Sequence, residues 1–426
     1  MKNKLERRHS RWYEVVLLSP VLLFLIGAFV VVFMPAWLRW GEFLIRWPLT
    51  GFQLNTLIAN GIAFTITFLL LNQVRRYPGT SPLAYIIPTT LLSWFVVFTA
   101  LLFMREGAYS RQLLLSSFFL ANLWAFMGFF IASKYSKRKF AIVPYGDALN
   151  MPNNEEWRFD VLTSPDLKSI RYDGIVVDLR SADLTESWLR FLAKCTLWRI
   201  PVYHTVQVTE ALTGRVKIER LSENQFGSLM PSSIYGAFKR FLDVVFALVL
   251  IPFITPLMVA TAVAIKLDSP GPVFFNQKRM GYRGRVFTMY KFRSMRANAS
   301  GKEFTDGKSD PRITKVGRFI RKFRIDEIPQ VFNVLKGDMS FIGPRPESLS
   351  LSKWYEQEIP FFNYRHVVRP GISGWAQVNQ GYASEVDGVT VKLQYDFYYI
   401  KHFSLWLDVL ITFKTIKTVL TGYGAR

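Results

Sequence analysis

Apolar residues fall into four long blocks in the first third of the chain, at about 13–34, 54–71, 82–104 and 112–132. Each approaches or exceeds the ~20 residues an α-helix needs to cross the hydrocarbon of a bilayer. The pattern predicts four spanning helices, with buried core helices as the competing reading. No small-residue cleavage site follows the first block, because Phe33–Met34–Pro35–Ala36–Trp37 continues bulky, so it is expected to stay attached. From about 136 to 234 the blocks shorten. Ala141–Ile142–Val143–Pro144, Gly174–Ile175–Val176–Val177–Asp178 and Ile200–Pro201–Val202–Tyr203 read as short buried strands, with a helix over Ser187–Leu192. That alternation predicts a small parallel α/β domain. Its first turn, Pro144–Tyr145–Gly146–Asp147–Ala148, has one glycine where a dinucleotide fold needs several to approach a pyrophosphate, which argues against nicotinamide binding and for a packing or regulatory role.

A fifth apolar block, 241–265, is also long enough to span. Pro252 and Pro256 each remove a helical hydrogen bond, and Lys239, Arg240, Lys266, Lys278, Arg279, Arg283 and Arg285 place positive charge on both flanks. Both ends are therefore expected on one face, as a re-entrant helix over about 237–266, with the Thr255 hydroxyl available to a freed carbonyl. A kinked fifth spanning helix is the rival. Near the C-terminus Phe403, Trp406, Leu407, Leu410, Phe413, Ile416, Val419 and Leu420 share one side of a helix, suited either to the membrane interface or to a core.

Composition changes the picture in one respect. Half the residues are hydrophobic, yet the formal charge is +22. A nucleic-acid binder explains the charge but leaves the apolar blocks idle, so no nucleic-acid partner is expected; a surface facing anionic lipid and phosphorylated substrates explains both. Basic residues in the N-terminal tail (Lys2, Lys4, Arg7, Arg8, Arg11), at Arg75 and Arg76, and at Lys134, Lys137, Arg138 and Lys139 place those three regions in the cytoplasm by the positive-inside rule. The other two loops carry Arg39, Arg46 and Glu42, then Arg105, Arg111 and Glu106, a weaker bias. Cys195 is the single cysteine, which excludes an intrachain disulfide, and His9, His204, His366 and His402 form no ligand pair at helical spacing.

The candidate chemistry follows the fifth block. The alternating run Phe287–Met295 puts Lys291 and Arg293 on one face of a strand, and Arg312, Lys315, Arg318, Arg321, Lys322 and Arg324 lead into Asp326–Glu327–Ile328–Pro329–Gln330. The last segment reads as a helix start running to Gly337, with Asp326 able to act as a simple N-cap. Beside so many cations, however, a helix N-terminus with two carboxylates suits phosphate and Mg²⁺: one carboxylate can attack phosphorus while the other anchors the metal. In Gly343–Pro344–Arg345–Pro346–Glu347, two prolines stiffen the backbone around Arg345, fit to meet phosphate, although a plain surface turn reads the same way.

These segments together resemble the polyprenyl-phosphate hexose-1-phosphate transferases, the monotopic phosphoglycosyl transferase superfamily. The resemblance spans about 235–426 and rests on Lys239–Asp243, Ser269–Phe275, Tyr290–Met295, Asp326–Gln330, Gly343–Pro346 and Arg369–Trp375. It implies three parts: a four-helix transmembrane region (1–135), a degenerate Rossmann-like cytoplasmic domain (136–234), and a mainly helical catalytic domain with the re-entrant helix (235–426). It also implies that Asp326 attacks the sugar-bearing phosphorus of a UDP-sugar, that UMP leaves, and that the phosphosugar passes to undecaprenyl phosphate while Glu327 holds Mg²⁺. Lys291, Arg321 and Arg345 fall on phosphate-contacting positions, and the family's helix-breaking serine–proline falls on Thr255–Pro256. A homodimer in the bacterial inner membrane, its catalytic domain on the cytoplasmic face, starting exopolysaccharide, capsule or O-antigen synthesis, completes the expectation. A non-catalytic membrane scaffold or ligand sensor is the alternative, and it has no need of Asp326, Glu327, Lys291 and Arg345 together.

Overall fold

A computed structural model of the protein describes residues 19–41, 49–74, 77–78, 83–103, 109–135, 138–152, 157–168, 170, 172–217, 230–296, 310–380 and 386–421. The basic tail, residues 13–18 of the first apolar block, and Glu42, Arg46, Arg75, Arg76, Arg105, Glu106 and Lys137 lie outside them, as does the Lys134 side chain. The chain divides into two compact units, 1–214 and 215–426.

The first unit begins with four helices of spanning length: α1 (Pro20–Trp40), α2 (Gly51–Val74), α3 (Leu83–Leu102) and α4 (Arg111–Tyr135). Their apolar faces meet in a cluster containing Val31, Ala63, Phe64, Trp94 and Leu114. Polar side chains join helices where water is absent: Trp94 Nε1 donates to the Leu114 carbonyl at 3.0 Å and Thr90 Oγ1 to Asn122 Oδ1 at 2.8 Å.

The same unit holds a four-stranded parallel sheet: β1 (Arg138–Ile142), β2 (Trp157–Val161), β3 (Gly174–Val177) and β4 (Val202–His204), in the order β2-β1-β3-β4. Helix α5 (Glu186–Leu197) turns Trp188, Phe191, Leu192 and Cys195 inward, the spacing of an amphipathic helix, onto Ile175 and Val177. Helix α6 (Thr205–Thr213) follows β4. At the turn after β1, Gly146 has φ +56°, and an added Cβ would lie 2.3 Å from Asp178 Oδ2. The Asp178 carboxylate accepts the Asp147 amide at 3.1 Å and the Arg180 amide at 3.0 Å. A side-chain carboxylate thus stands where a dinucleotide fold presents amides to phosphate.

The second unit is organised along one 36-residue helix, α7 (Ser233–Asp268), capped by Ser232. At 1.5 Å per residue it is about 54 Å long. Both Pro252 and Pro256 lie inside it, and the helix is continuous across them. The Thr255 hydroxyl donates to the Ile251 carbonyl at 2.7 Å. This corrects the sequence expectation: a proline frees the carbonyl four residues before it, so the freed groups belong to Leu248 and Pro252, whereas a helical threonine reaches back to its own fourth predecessor. One face of α7 packs against the unit along its whole length. Lys239 donates to Asp408 Oδ2 at 2.5 Å, Ala247, Ile251 and Ile254 join Met289, Val331 and Val334, and Met258, Ala262 and Ile265 join Phe292 and Ile320. The other face is apolar and exposed, with Phe253 at 77% and Leu267 at 83% accessible.

Around α7 lie the antiparallel hairpin β5 (Phe274–Met280) and β6 (Val286–Phe292), helix α8 (Lys315–Lys322), and a 3₁₀ turn (Ile325–Gln330) leading into α9 (Val331–Lys336). The parallel pair β7 (Ser340–Ile342) and β8 (Gly371–Ser373) flanks α10 (Leu349–Glu358), and α11 (Trp375–Asn379), α12 (Val386–Lys401) and α13 (Leu405–Thr421) close the unit. In α13 the residues Leu407, Leu410 and Ile411 are fully buried, so the core reading holds for its first turns, while Ile416 is half exposed. Asp408 is a hub: Tyr235 Oη donates to its Oδ2 at 2.6 Å and Tyr399 Oη to its Oδ1 at 2.9 Å, beside Lys239.

Candidate active site

Three chain segments meet at the carboxylate pair. Asn333, fully buried in α9, fixes the distance from the 3₁₀ turn to β6: its Oδ1 accepts the Tyr290 amide at 3.0 Å and its Nδ2 donates to the Thr288 carbonyl at 2.7 Å. Lys291, next along β6, then donates to Glu327 Oε1 at 3.1 Å. Arg345 approaches from the loop after β7, its Nη2 donating to the same oxygen at 2.5 Å and its Nη1 to Oε2 at 3.4 Å.

The Arg345 loop is clamped on several sides. Gly343 donates to the Ser373 carbonyl at 2.8 Å, Arg279 to the Pro346 carbonyl at 3.1 Å, and Arg365 to the Arg345 carbonyl at 2.8 Å. Arg365 is buried and pairs with Asp396 at 2.8 Å, and Lys392 closes on Glu347. Burial works against the Glu347 charge, but Lys392, Arg365 and Arg279 overcome it and bring its carboxyl down to about 2. No motif announces Arg365, Lys392 or Asp396 in the sequence; the fold assembles them from α12 and the turn before β8.

The dyad is asymmetric. Glu327 is buried and bound by two cations, with Arg324 Nη1 3.8 Å from its Oε2. Burial alone would raise its carboxyl; Arg345, Lys291 and Arg324 hold it well below the carboxylate range. Asp326 carries no ion pair and no side-chain hydrogen bond among the described residues. Its burial, then the neighbouring Glu327 charge, push it up to about 6, against the pull of Lys291, Arg345 and Arg321. Asp326 is not a helix cap. The residue ahead of the 3₁₀ turn is Arg324, in the left-handed region at φ +55°, and Asp326 sits inside the turn.

Of the residues singled out from sequence, Asp326, Glu327, Lys291 and Arg345 come together, with Arg321 within electrostatic reach of Asp326. Arg324 joins them, placed by a backbone conformation that sequence does not display. Arg293 is used elsewhere: it donates to the Ser269 carbonyl at 2.7 Å and the Pro270 carbonyl at 2.8 Å. Arg312 pairs with Asp310 at 2.7 Å. Thr255 and Pro256 lie on α7, outside the cation cluster.

Four cations against two carboxylates leave a net positive site suited to a polyanion. Among the described residues no group of three or more His, Cys, Asp or Glu side chains is placed to hold a metal ion. Beside the dyad opens an apolar cavity of about 260 Å³, with Glu327 and Arg324 at its wall.

A phosphate-type site on a unit built along an exposed apolar helix, in a chain whose described residues include five helices long and apolar enough to cross a membrane, describes a membrane enzyme of phosphoryl-group transfer. Residues 234–422 match the bacterial sugar transferase model. Over 99% of both chains, the protein is 53% identical to a UDP-N-acetylgalactosamine-undecaprenyl-phosphate N-acetylgalactosaminephosphotransferase of Aeromonas hydrophila. It is 37% identical to a UDP-glucose:undecaprenyl-phosphate glucose-1-phosphate transferase of Escherichia coli, over 49% of this chain and 47% of that one. It is 35% identical to an undecaprenyl-phosphate galactose phosphotransferase of Salmonella typhimurium, over 57% and 53%. The chain belongs to the bacterial sugar transferase family and is a phosphoglycosyl transferase.

Proposed function

We propose that the protein transfers a sugar 1-phosphate from a UDP-sugar to undecaprenyl phosphate in the bacterial inner membrane, in two steps through Asp326. An Asp326 oxygen attacks the sugar-bearing phosphorus. The bond from that phosphorus to the bridging oxygen breaks, and UMP leaves. An oxygen of undecaprenyl phosphate then attacks the same phosphorus, the bond to Asp326 breaks, and the carboxylate is restored. The observation that carries this reading is the asymmetry of the dyad, in which Glu327 is tied by Lys291 and Arg345 while Asp326 is unpaired. A nucleophile needs a lone pair that nothing else holds. Lys291, Arg321 and Arg345 are the groups that would meet the donor diphosphate.

The donor set fits Mg²⁺. Glu327 Oε2 has only the longer contacts of 3.4 and 3.8 Å, which leaves it coordination capacity. One carboxylate, with phosphate oxygens and water completing the shell, matches that ion's preferences. When bound, it would neutralise phosphate charge; Glu327 would hold it, leaving Asp326 free to attack.

The packing of α7 favours the re-entrant reading. A helix crossing the bilayer would leave an aqueous domain behind at its middle, whereas here Lys239, Asp243 and Ala247 toward one end and Thr261 and Ile265 toward the other are all buried against the same domain, and the stretch between them holds no buried residue. With both ends on one face, the catalytic unit lies on the cytoplasmic side, where nucleotide-sugars are. The full-length relative of Aeromonas hydrophila makes UDP-N-acetylgalactosamine the first donor to try, and initiation of exopolysaccharide, capsule or O-antigen synthesis the pathway role. The degenerate Rossmann-like character of the α/β domain and a homodimeric state belong to the same proposal.

The test is direct. Purified protein with Mg²⁺, undecaprenyl phosphate and a panel of UDP-sugars should release UMP, and Asp326→Asn should abolish release while remaining folded. UMP release persisting in that variant would remove Asp326 as the nucleophile.

A further inference from the structure

The cavity beside the dyad is walled by Leu250 and Ile254 of α7, Val331, Phe341, Ile372 and, from α13, Val419. Its hydroxyl groups are turned to other work. Ser373 Oγ and Thr415 Oγ1 lie 2.6 Å apart, Thr415 Oγ1 donates to the Ile411 carbonyl at 2.7 Å, and Thr418 Oγ1 to the Lys414 carbonyl at 2.8 Å. What these side chains offer the cavity is methyl and methylene surface. Nucleotide and sugar need hydrogen-bonding partners, and this wall provides few.

Its two ends differ. One reaches Arg324 and Glu327. The other borders apolar surface open to the surroundings, since Leu250 is itself 40% exposed and Val249 and Phe253 beside it are more so. A ligand matching this gradient is a hydrocarbon chain with an anionic head, its body in lipid and its first units in protein. The volume of about 260 Å³ lies just under the ~300–1,000 Å³ that encloses a whole small ligand, so it takes only the leading part of a long chain.

We propose that this cavity binds the first isoprene units of the polyprenyl phosphate acceptor, with Arg324 facing its phosphate. This rests on the reading that the protein acts on a polyprenyl phosphate. The two substrates thereby reach Asp326 from different sides, the donor over Lys291, Arg321 and Arg345, and the acceptor through the apolar cleft. Arg324, held in its left-handed conformation, is the cation at the junction.

The experiment combines kinetics and labelling on the full-length protein in lipid nanodiscs. Val419→Trp fills the cavity and should raise KM for undecaprenyl phosphate at least tenfold, with KM for the UDP-sugar within twofold. A polyprenyl phosphate carrying a diazirine on its first isoprene unit should label wild-type protein within 250–254 or 415–419, which decides the matter even if the tryptophan variant does not fold. Excess undecaprenyl phosphate should protect, and excess phosphatidylglycerol should not. Equal change in both KM values, labelling elsewhere, or equal protection by the phospholipid would overturn the proposal, the last making the cleft a general acyl-chain site. Failure of the underlying reading is separate: wild-type protein would then release no UMP with any UDP-sugar and undecaprenyl phosphate.

Discussion

Replacing Asp326 by asparagine should make the protein more stable as it makes it inactive. Asparagine keeps the shape of the side chain and removes the charge that burial and Glu327 both oppose. Raising a carboxyl from its ordinary 3.8 to about 6 costs the ionised form about 3 kcal/mol. The sign follows from linkage. The folded state favours the protonated form, so the cost is absent below pH 3.8, grows as pH rises, and is fully present above pH 6. In a unit of roughly 200 residues, 1 kcal/mol corresponds to about 2–4 °C in Tm, so the ceiling of the gain is about 6–12 °C. The imperfect fit of an amide among cations will reduce that. The assay is thermal unfolding of the full-length protein in nanodiscs, wild type against Asp326→Asn, at pH 7.5 and near pH 4. A gain of several degrees at pH 7.5 that shrinks to below about 1 kcal/mol near pH 4 is expected. No gain at pH 7.5, or one that stays constant on acidification, would refute the electrostatic account of the dyad.

The same shift sets a rate profile: kcat/KM for the UDP-sugar should fall about tenfold per pH unit below a midpoint near 6, and a midpoint below 5 would contradict the elevated Asp326. Lys291→Met leaves Glu327 on Arg345 and should lower kcat/KM by roughly 10²–10³, measured by UMP release. Chelation with EDTA should abolish turnover and added Mg²⁺ restore it; unchanged activity would exclude a metal role for Glu327. Gly317→Ala places a Cβ 2.0 Å from the Ser294 carbonyl oxygen, where backbone meets backbone. It should destabilise by at least ~1–3 kcal/mol in unfolding experiments, and a neutral result would mean α8 moves freely there.

The dyad was legible because its residues are adjacent and its cations cluster nearby in sequence. The spanning helices were legible because length against bilayer thickness is a strong constraint. Strand β2 was missed although Trp157–Val161 alternates apolar and polar positions, because one charged edge strand of five residues carries little signal alone. The separate fates of Lys291 and Arg293 could not be read either: alternation puts both on one side of a strand, but β6 ends at Phe292, and Arg293 beyond it is spent on the Ser269 and Pro270 carbonyls. Arg324 depends on a backbone dihedral, and the Arg365–Asp396 pair joins positions that share no local pattern. The prolines of α7 are legible as the place for a bend, but hydrogen-bonded helix runs through both, so they do not end the element.

The hub at Asp408 also fixes an order of events during synthesis. Lys239 and Asp408 are 169 positions apart. At ~5–20 residues per second, the apolar helix emerges roughly 10–30 s before the residue that anchors its first turns is made. For that interval Lys239 and Tyr235 have no Asp408 to meet, and the first turns of the helix lack their anchor. The start of α7 is therefore anchored only once α13 is made, and a ribosome that stops short of α13 leaves Lys239 and Tyr235 without that partner.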